Sequence, residues 1–264
     1  MAIVKKANPL DRFTLATEPA KPRIIWRSTG EPGTGKTSFG LGAPGPILVQ
    51  SFDQGLEGVI EKFQDEKEIR VKEYAWAPTD QLSQNEAIDL RDDFIADFEF
   101  ALEHFKTILW DKETDIWELF RYAEFGAPND APRNYPKLNQ RMRKYINLPK
   151  ATTLNFGLIQ SMKDEWKTVS KVNSQGQVKD QGVNTGNRIS QGFGELEGLV
   201  HVNLHHRRQR VKTDDGGTES QFWTDVGKSR GPGARSVQDK SFEDLTFSML
   251  GQLLFPDTDE TNWE

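Results

Sequence analysis

The 264-residue chain has no cysteine, and hydrophobic residues make up only 35% of it. The missing thiols exclude a disulfide scaffold, cysteine-ligated zinc, iron–sulfur clusters and thiol catalysis, and they fit a reducing compartment. No apolar run approaches the ~20 residues that a membrane span requires. No apolar stretch follows the basic pair Lys5-Lys6 as it would in a secretory signal. We therefore expect a soluble cytoplasmic protein with no membrane partner.

The net charge of −6 is distributed unevenly along the chain. Residues 51–125 carry a net −12 and residues 241–264 a net −6, whereas residues 126–240 carry a net +8. A polyanionic partner would therefore meet the basic segment rather than the protein as a whole. Scattered solvated charge is the alternative, because neighbours in sequence need not share a surface patch.

Short apolar runs alternate with amphipathic segments along most of the chain. We predict strands at 23–27, 47–52, 107–111, 154–160, 199–204 and 221–226, and helices at 36–42, 85–105, 114–125 and 137–148. This alternation indicates an α/β fold with a mostly parallel twisted sheet and helices on both faces. A turn at 214–217 predicts an antiparallel hairpin at one edge.

The remaining segments are polar. Residues 1–22 predict an N-terminal arm, residues 23–255 one domain, and residues 256–264 an acidic C-terminal tail, for which a disordered end is the simpler interpretation. Residues 168–192 are rich in Gln, Asn, Ser, Gly and Lys, which favours a mobile loop.

The sequence GEPGTGKT at residues 30–37 is the strongest functional signal, because it stands between a predicted strand and a predicted helix. Its glycines let backbone N–H groups point into one anion-sized hollow, and the helix adds its positive end. Lys36 would reach the β- and γ-phosphates, and the Thr37 hydroxyl would ligate Mg²⁺. The predicted ATP-binding residues are Gly30, Glu31, Pro32, Gly33, Thr34, Gly35, Lys36, Thr37 and Ser38.

A magnesium–nucleotide site also needs a carboxylate at the end of a nearby strand. Asp111 closes the strand at 107–111 and is the predicted second magnesium residue. Lys112 stands where an ATPase of the Asp-Glu type would have glutamate, so that class is disfavoured. Asp53 is our first choice for the base that orients the attacking water, with Glu57 and Glu113 as rivals.

This layout resembles the RecA-like recombinase core, and most of all the small phage-encoded nucleotide-binding proteins that include single-strand annealing and recombination ATPases. The resemblance spans residues 23–235. It rests on GEPGTGKT at 30–37, ILVQSFDQG at 47–55, TILWD at 107–111, LNFGLIQ at 154–160 and WTDVGKSRG at 223–231.

The resemblance implies further roles. Gln160 would sense the γ-phosphate and link it to a following DNA-binding loop. Lys228 and Arg230 would reach the nucleotide of the next subunit in a homo-oligomer or filament. The chain departs from the pattern where recombinases place glutamate and it has Asp53, and it lacks the N-terminal helical domain of the longer recombinases.

Two basic segments, 127–144 and 161–192, follow the positions that hold DNA in RecA-like proteins. Their cations would neutralise phosphates, and an aromatic ring could stack on a base without reading sequence. A soluble helix with a polar loop is the alternative. The predicted residues for single-stranded DNA are Arg133, Lys137, Arg141, Arg143, Lys144, Lys163, Trp166, Lys167, Lys171, Lys179 and Arg188.

The sequence thus predicts a magnesium-dependent ATPase that acts on single-stranded DNA in phage recombination or replication. The first alternative is a nucleotide-gated loader or adaptor for a replication protein, with little turnover. A P-loop small-molecule kinase is the second, and it is disfavoured because no lid segment is evident. A metal site at His205-His206 is disfavoured by the absence of cysteine and the total of four histidines.

Overall fold

A computed structural model describes residues 22–52, 55–78, 82–126, 135–172, 178–213 and 216–264. Its strands are β1 (Ile25–Gly30), β2 (Ile47–Ser51), β3 (Ile69–Glu73), β4 (Thr107–Asp111), β5 (Asn155–Ile159), β6 (Met162–Val172), β7 (Val178–Ser190), β8 (Val202–Lys212), β9 (Thr218–Ser229) and β10 (Lys240–Glu243). Its α-helices are α1 (Lys36–Leu41), α2 (Gln84–His104), α3 (Glu113–Phe125), α4 (Tyr135–Asn147), α5 (Leu196–Leu199), α6 (Ala234–Val237) and α7 (Phe247–Leu254). Within these ranges no helix combines the length and apolarity that crossing a bilayer would take.

The main sheet has eight strands in the order β10-β9-β8-β1-β5-β4-β2-β3. In this order, the six strands from β8 to β3 run parallel to one another. At the edge next to β8, β9 pairs antiparallel with β8, and β10 pairs antiparallel with β9. This architecture confirms the predicted fold class, an α/β fold with a mostly parallel sheet and an antiparallel edge hairpin. Because β5 lies between β1 and β4, the carboxyl ends of these three strands meet at one edge of the sheet.

Each face of the sheet has its own hydrophobic core, because successive side chains of a strand point to opposite faces. On one face, Ile25 and Trp110 belong to a cluster with buried side chains of α2, α3 and α4. On the other face, Trp26 and Leu109 pack in a cluster with buried side chains of α1 and α7. Helices therefore cover both faces, as the alternating sequence pattern predicts.

The expectation of a mobile loop at 168–192 is wrong for the part of it that the structure describes. β6 and β7 form a separate two-stranded antiparallel sheet, which we call the ribbon, paired from Met162↔Ser190 to Val172↔Val178. The pairing uses backbone groups, so a strand with water on both faces can be polar throughout. Such a strand lacks the apolar alternation on which sequence-based strand prediction depends.

The expectation of a disordered end at 256–264 is also wrong. Trp263 is fully buried, stacks on Phe255 with ring centroids 5.3 Å apart, and donates from Nε1 to the hydroxyl of Thr258 at 3.0 Å. A Cβ on Gly251 of α7 would lie 2.3 Å from the Trp263 ring. The segment is therefore seated on α7 by one aromatic anchor within an otherwise acidic sequence.

We expect Trp263→Ala to lower the free energy of unfolding by about 3 kcal/mol, the cost of emptying a buried aromatic site. Urea denaturation followed by circular dichroism measures this difference. Trp166→Ala is the matched control, since the Trp166 side chain on the ribbon is 63% exposed. Equal destabilisation by the two substitutions would contradict the anchoring role of Trp263.

Candidate nucleotide-binding site

The P-loop connects the end of β1 to the start of α1, and its backbone requires glycine. Gly30 has φ +142°, and a Cβ there would lie 2.1 Å from the carbonyl oxygen of His206 on β8. Gly35 has φ +89°, in the left-handed region that favours glycine. The glycines that define the sequence motif are thus explained by backbone geometry alone.

The Lys36 ammonium bends back over the loop. Its Nζ donates to the carbonyl oxygens of Gly30 at 2.9 Å and Glu31 at 2.8 Å. The Thr34 hydroxyl also donates to the Glu31 carbonyl, at 2.8 Å. The positive charge is therefore held at the loop itself, where a phosphate group would meet it.

A cavity of about 830 Å³ opens at this end of the sheet. All nine predicted ATP-binding residues, from Gly30 to Ser38, line it, together with Asp111 at the end of β4 and Gln160 just after β5. Lys112 has φ +62°, and this left-handed residue turns the chain from β4 into α3. The structure thus brings together the predicted Lys36, Thr37, Asp111 and Gln160 around one space.

Gln160 is 2% exposed and is held by a buried carboxylate. Its Nε2 donates to Glu113 Oε2 at 2.7 Å, and the Phe193 amide donates to Glu113 Oε1 at 3.3 Å. Burial raises the pKa of Glu113 to about 7, and the two hydrogen bonds and the nearby Arg27 charge oppose that rise. Glu113 does not line the cavity, so its carboxylate serves Gln160 rather than the nucleotide space.

The segment after β7 closes over this pair. Gly192 has φ +117°, and a Cβ there would lie 2.3 Å from Glu113 Oε2 and 2.9 Å from Gln160 Nε2. The Thr114 hydroxyl donates to the Gln191 carbonyl at 3.0 Å and accepts from the Ser161 amide at 3.0 Å. Ser161 before β6 and Gln191 after β7 are therefore both bonded to Thr114 at the start of α3.

Sequence reasoning missed His206 of β8, which pairs with Gly30 at the end of β1. The His206 ring is hydrogen-bonded to Ser28 at 3.0 Å and to Thr224 at 3.1 Å, and it lines the cavity. Burial and the Lys36 charge lower its pKa to about 3. His206 is therefore neutral at pH 7 and adds no cation to the site. The signal that could have identified it is the alternation along β8, in which Val202, Leu204 and His206 are separated by single polar residues.

Arg188, predicted to bind nucleic acid, lies in the cavity wall. Its guanidinium contacts Glu31 of the P-loop, with Nε 3.0 Å from Oε1, and Asp164 of β6, with 2.9 Å from NH1 to Oδ1. Phe222 of β9 lies beside the loop, since a Cβ on Gly35 would be 3.9 Å from its ring. Two elements that follow β5 in the chain thus complete the rim of the cavity.

Lys228 and Arg230 lie at the other end of the sheet. Lys228 is near the end of β9 and Arg230 directly follows that strand, which runs antiparallel to β8. The Arg230 amide donates to the carbonyl of His201, just before β8, at 2.7 Å. The Arg230 guanidinium also donates to the Gly198 carbonyl at 2.9 Å. Neither residue lines the P-loop cavity of its own chain. Their predicted action on a neighbouring subunit stays a prediction.

The predicted nucleic-acid residues fall on α4 and on the ribbon. On α4, Lys137 and Arg141 pair with Glu124 at 3.1 and 2.6 Å, and Arg143 pairs with Glu195. On the ribbon, Trp166 is exposed and Lys167 pairs with Glu165 at 3.5 Å, and the chain also carries Lys144 on α4 and Lys163 on β6. Asp53 and Arg133 lie outside the described residues, as do the side chains of Lys171 and Lys179.

The residues at the cavity fit a magnesium ion in their chemistry. The Thr37 hydroxyl and the Asp111 carboxylate are hard oxygen donors, which Mg²⁺ prefers in proteins. Both line the same space as the Lys36 ammonium and the curled P-loop backbone. When bound, the ion would neutralise charge that develops on the β- and γ-phosphate oxygens.

No protein-family model and no curated protein matches the chain. The solved structures that are similar to it include the KaiC-like protein PH0186 of Pyrococcus horikoshii OT3, at 11% identity over 83% of both chains with a TM-score of 0.42. They also include the flagellar accessory protein FlaH of Methanocaldococcus jannaschii, at 11% identity over 83% of this chain and 84% of that one with a TM-score of 0.44. Similarity of this degree says nothing of activity or ligand.

Glu113 gives the fold a characteristic pH dependence. Its folded pKa of about 7 exceeds its ordinary value of 4.5, so the folded protein holds this proton to higher pH than the unfolded chain. Stability therefore falls as pH rises from about 4.5 to 7, by roughly 3 kcal/mol for this group alone.

Glu113→Gln removes the titrating group, so we expect the difference in unfolding free energy between wild type and variant to change across that pH range. Denaturation at several pH values measures this difference. Because the two proteins share every other ionisable side chain, the contributions of those groups cancel in the comparison. A difference that is constant from pH 4.5 to 7 would rule out a buried, titrating Glu113.

Proposed function

We propose that this protein binds ATP with Mg²⁺ and hydrolyses it. The observation that supports this most strongly is the shared cavity of Lys36, Thr37, Asp111 and Gln160. A P-loop lysine, a hydroxyl and a strand-end carboxylate are the parts that phosphoryl transfer to water needs for charge stabilisation. Gln160 stands between the P-loop strand and the Asp111 strand, where it would meet the terminal phosphate.

The attacking water would need an acceptor for its hydrogen bond. The Gln160 carboxamide oxygen can serve this purpose, because its Nε2 is already directed to Glu113. Asp53 remains our proposal for the base, and its rival Glu57 is exposed. The Glu113 carboxylate is a weaker candidate because both of its oxygens accept hydrogen bonds from Gln160 and Phe193.

We expect Lys36→Ala to abolish ATP binding, because the substitution removes the cation that the P-loop holds at the phosphate position. Isothermal titration calorimetry with ATP and Mg²⁺ measures this loss. Lys72→Ala is the matched control, since Lys72 lies on the edge strand β3 with half of its side chain exposed. Retained ATP affinity in Lys36→Ala would overturn the proposed site.

We further propose that the ribbon binds single-stranded DNA. Trp166, Val169 and Val183 are exposed on it, although large apolar side chains usually avoid water when they have no partner. Lys167 pairs across the ribbon with Val183, and Lys163 lies on the same strand as Trp166. Exposed rings for base stacking next to cations for phosphates are the usual composition of a sequence-tolerant single-strand site.

The contact between Gln160 and Gly192 connects the nucleotide cavity to the ribbon. Gln160 faces the cavity two residues before β6, and Gly192 packs on Gln160 two residues after β7. A shift of the Gln160 side chain on binding a phosphate would therefore be transmitted to the start of β6 and to the end of β7. This supports a DNA-responsive ATPase over a nucleotide switch that acts alone.

We expect Trp166→Ala to weaken binding of single-stranded DNA about 5- to 100-fold, the loss that follows when one stacked base loses its aromatic partner. Fluorescence anisotropy with labelled oligothymidylate, at low and moderate salt, measures this effect. Phe100→Ala is the matched control, because Phe100 is 61% exposed on α2, outside the ribbon.

Wild-type binding that weakens with salt would support phosphate contacts by the ribbon lysines. ATP binding without any DNA binding or DNA-stimulated hydrolysis would favour the alternative, a nucleotide-gated loader or adaptor for a replication protein. A role in phage recombination or replication, and assembly into a homo-oligomer with Lys228 and Arg230 facing the next nucleotide, belong to the same proposal.

A further inference from the structure

We infer that Arg188 is a phosphate-binding residue of the ATP site, supplied by the ribbon of the same chain, which distinguishes ATP from ADP. This inference rests on the proposed function and deepens it. The geometry comes from the P-loop rim: the Arg188 guanidinium engages both carboxylate oxygens of Glu31, with Nε 3.0 Å from Oε1 and NH2 3.2 Å from Oε2. Arg188 lines the cavity together with Lys36 and Gln160.

The present partner of Arg188 resembles the ligand that we assign to it. A planar guanidinium that binds a carboxylate through two N–H groups presents the same fork to two phosphate oxygens. Glu31 thus holds the position that a terminal phosphate oxygen pair could take over. The ion pair is about half exposed on each side, so little stability is lost when Arg188 exchanges Glu31 for another anion.

The remaining contacts of Arg188 keep it aimed at the loop. NH1 lies 2.9 Å from Asp164 Oδ1, and NH2 donates to the Met162 carbonyl at 3.1 Å. Both partners belong to β6, opposite Arg188 in the ribbon. The guanidinium is therefore oriented by the ribbon itself, and a change of its partner from Glu31 to phosphate would draw on the base of the ribbon.

The Glu31–Arg188 pair lies on the side of the P-loop next to Gln160. Arg188 lies near the end of β7, and Gly192, two residues after β7, packs on Gln160. Gln160 is the residue expected to meet the terminal phosphate, and Arg188 shares its end of the cavity. A cation at this end contacts the γ-phosphate and leaves the α- and β-phosphates to the loop backbone and Lys36.

The test compares the dissociation constants of the slowly hydrolysed analogue ATPγS and of ADP, each with Mg²⁺, for the wild type and Arg188→Ala. We expect the affinity for ATPγS to fall about tenfold to a hundredfold, the usual value of a charge-assisted hydrogen bond, and that for ADP to change less than about threefold. Arg188→Lys keeps the charge but loses the fork, so it should recover only part of the affinity.

Two further variants sharpen the result. Glu31→Gln removes the competing anion and should strengthen ATPγS binding more than ADP binding. Lys72→Ala removes one cation from the edge strand β3, away from the cavity, and it should alter neither affinity. Thermal unfolding of each variant verifies that it is folded, which the exposed position of Arg188 favours.

Equal losses for ATPγS and ADP in Arg188→Ala, or no loss for either, would overturn this inference while leaving the proposed ATP site intact. Failure of the wild type to bind either nucleotide would overturn the proposed function itself, and the inference with it. Hydrogen exchange at the base of the ribbon provides an independent readout. ATPγS, unlike ADP, should change the protection of the Met162 and Arg188 amides, and the change should disappear in Arg188→Ala.

Discussion

The buried hydrogen bond from Gln160 to Glu113 is the constraint on which the arrangement of the site depends. It joins the end of β5 to the start of α3 across 47 residues of sequence, and the amide of Phe193 completes it from a third segment. A carboxylate without water is costly unless donors surround it. The three segments therefore have to meet for Glu113 to be tolerated, and their meeting fixes the carboxamide of Gln160 at the cavity.

The same pair determines where the ribbon stands. Gly192 can follow β7 only because a glycine leaves room for the Glu113 carboxylate and the Gln160 amide. Arg27 of β1 adds a second attachment, since it donates to the hydroxyl of Ser190 at 2.9 Å while its charge lies near Glu113. In the part of the chain that the structure describes, the ribbon forms a sheet of its own. Polar groups of the nucleotide site nevertheless fix its base.

The parts of the site that sequence reasoning identified are those determined by local structure. The P-loop and Asp111 can be identified because the glycine spacing and the strand-end carboxylate are each contained within a few residues. Gln160 can be identified because it ends a predicted strand. The positioning role of Glu113 and the place of His206 depend on partners 47 and 178 residues away, which no local pattern contains. The ribbon was missed for a different reason: its strands bury neither face, so they show no apolar alternation.

Cations reach the proposed nucleotide from two sources that differ in kind. Arg188 meets the P-loop of its own chain, so its contribution is independent of protein concentration. Lys228, near the end of β9, and Arg230, just after it, lie at the opposite end of the sheet, where Ser229 pairs with Val202 at the start of β8. Neither residue lines the cavity of its own chain, so the role that we propose for them would be exerted on the nucleotide of another copy. A single protein would then hold a triphosphate through Arg188, whereas acceleration of hydrolysis by Lys228 and Arg230 would require assembly. On this proposal, nucleotide recognition by one chain would be separate from a catalytic contribution that would depend on a neighbour.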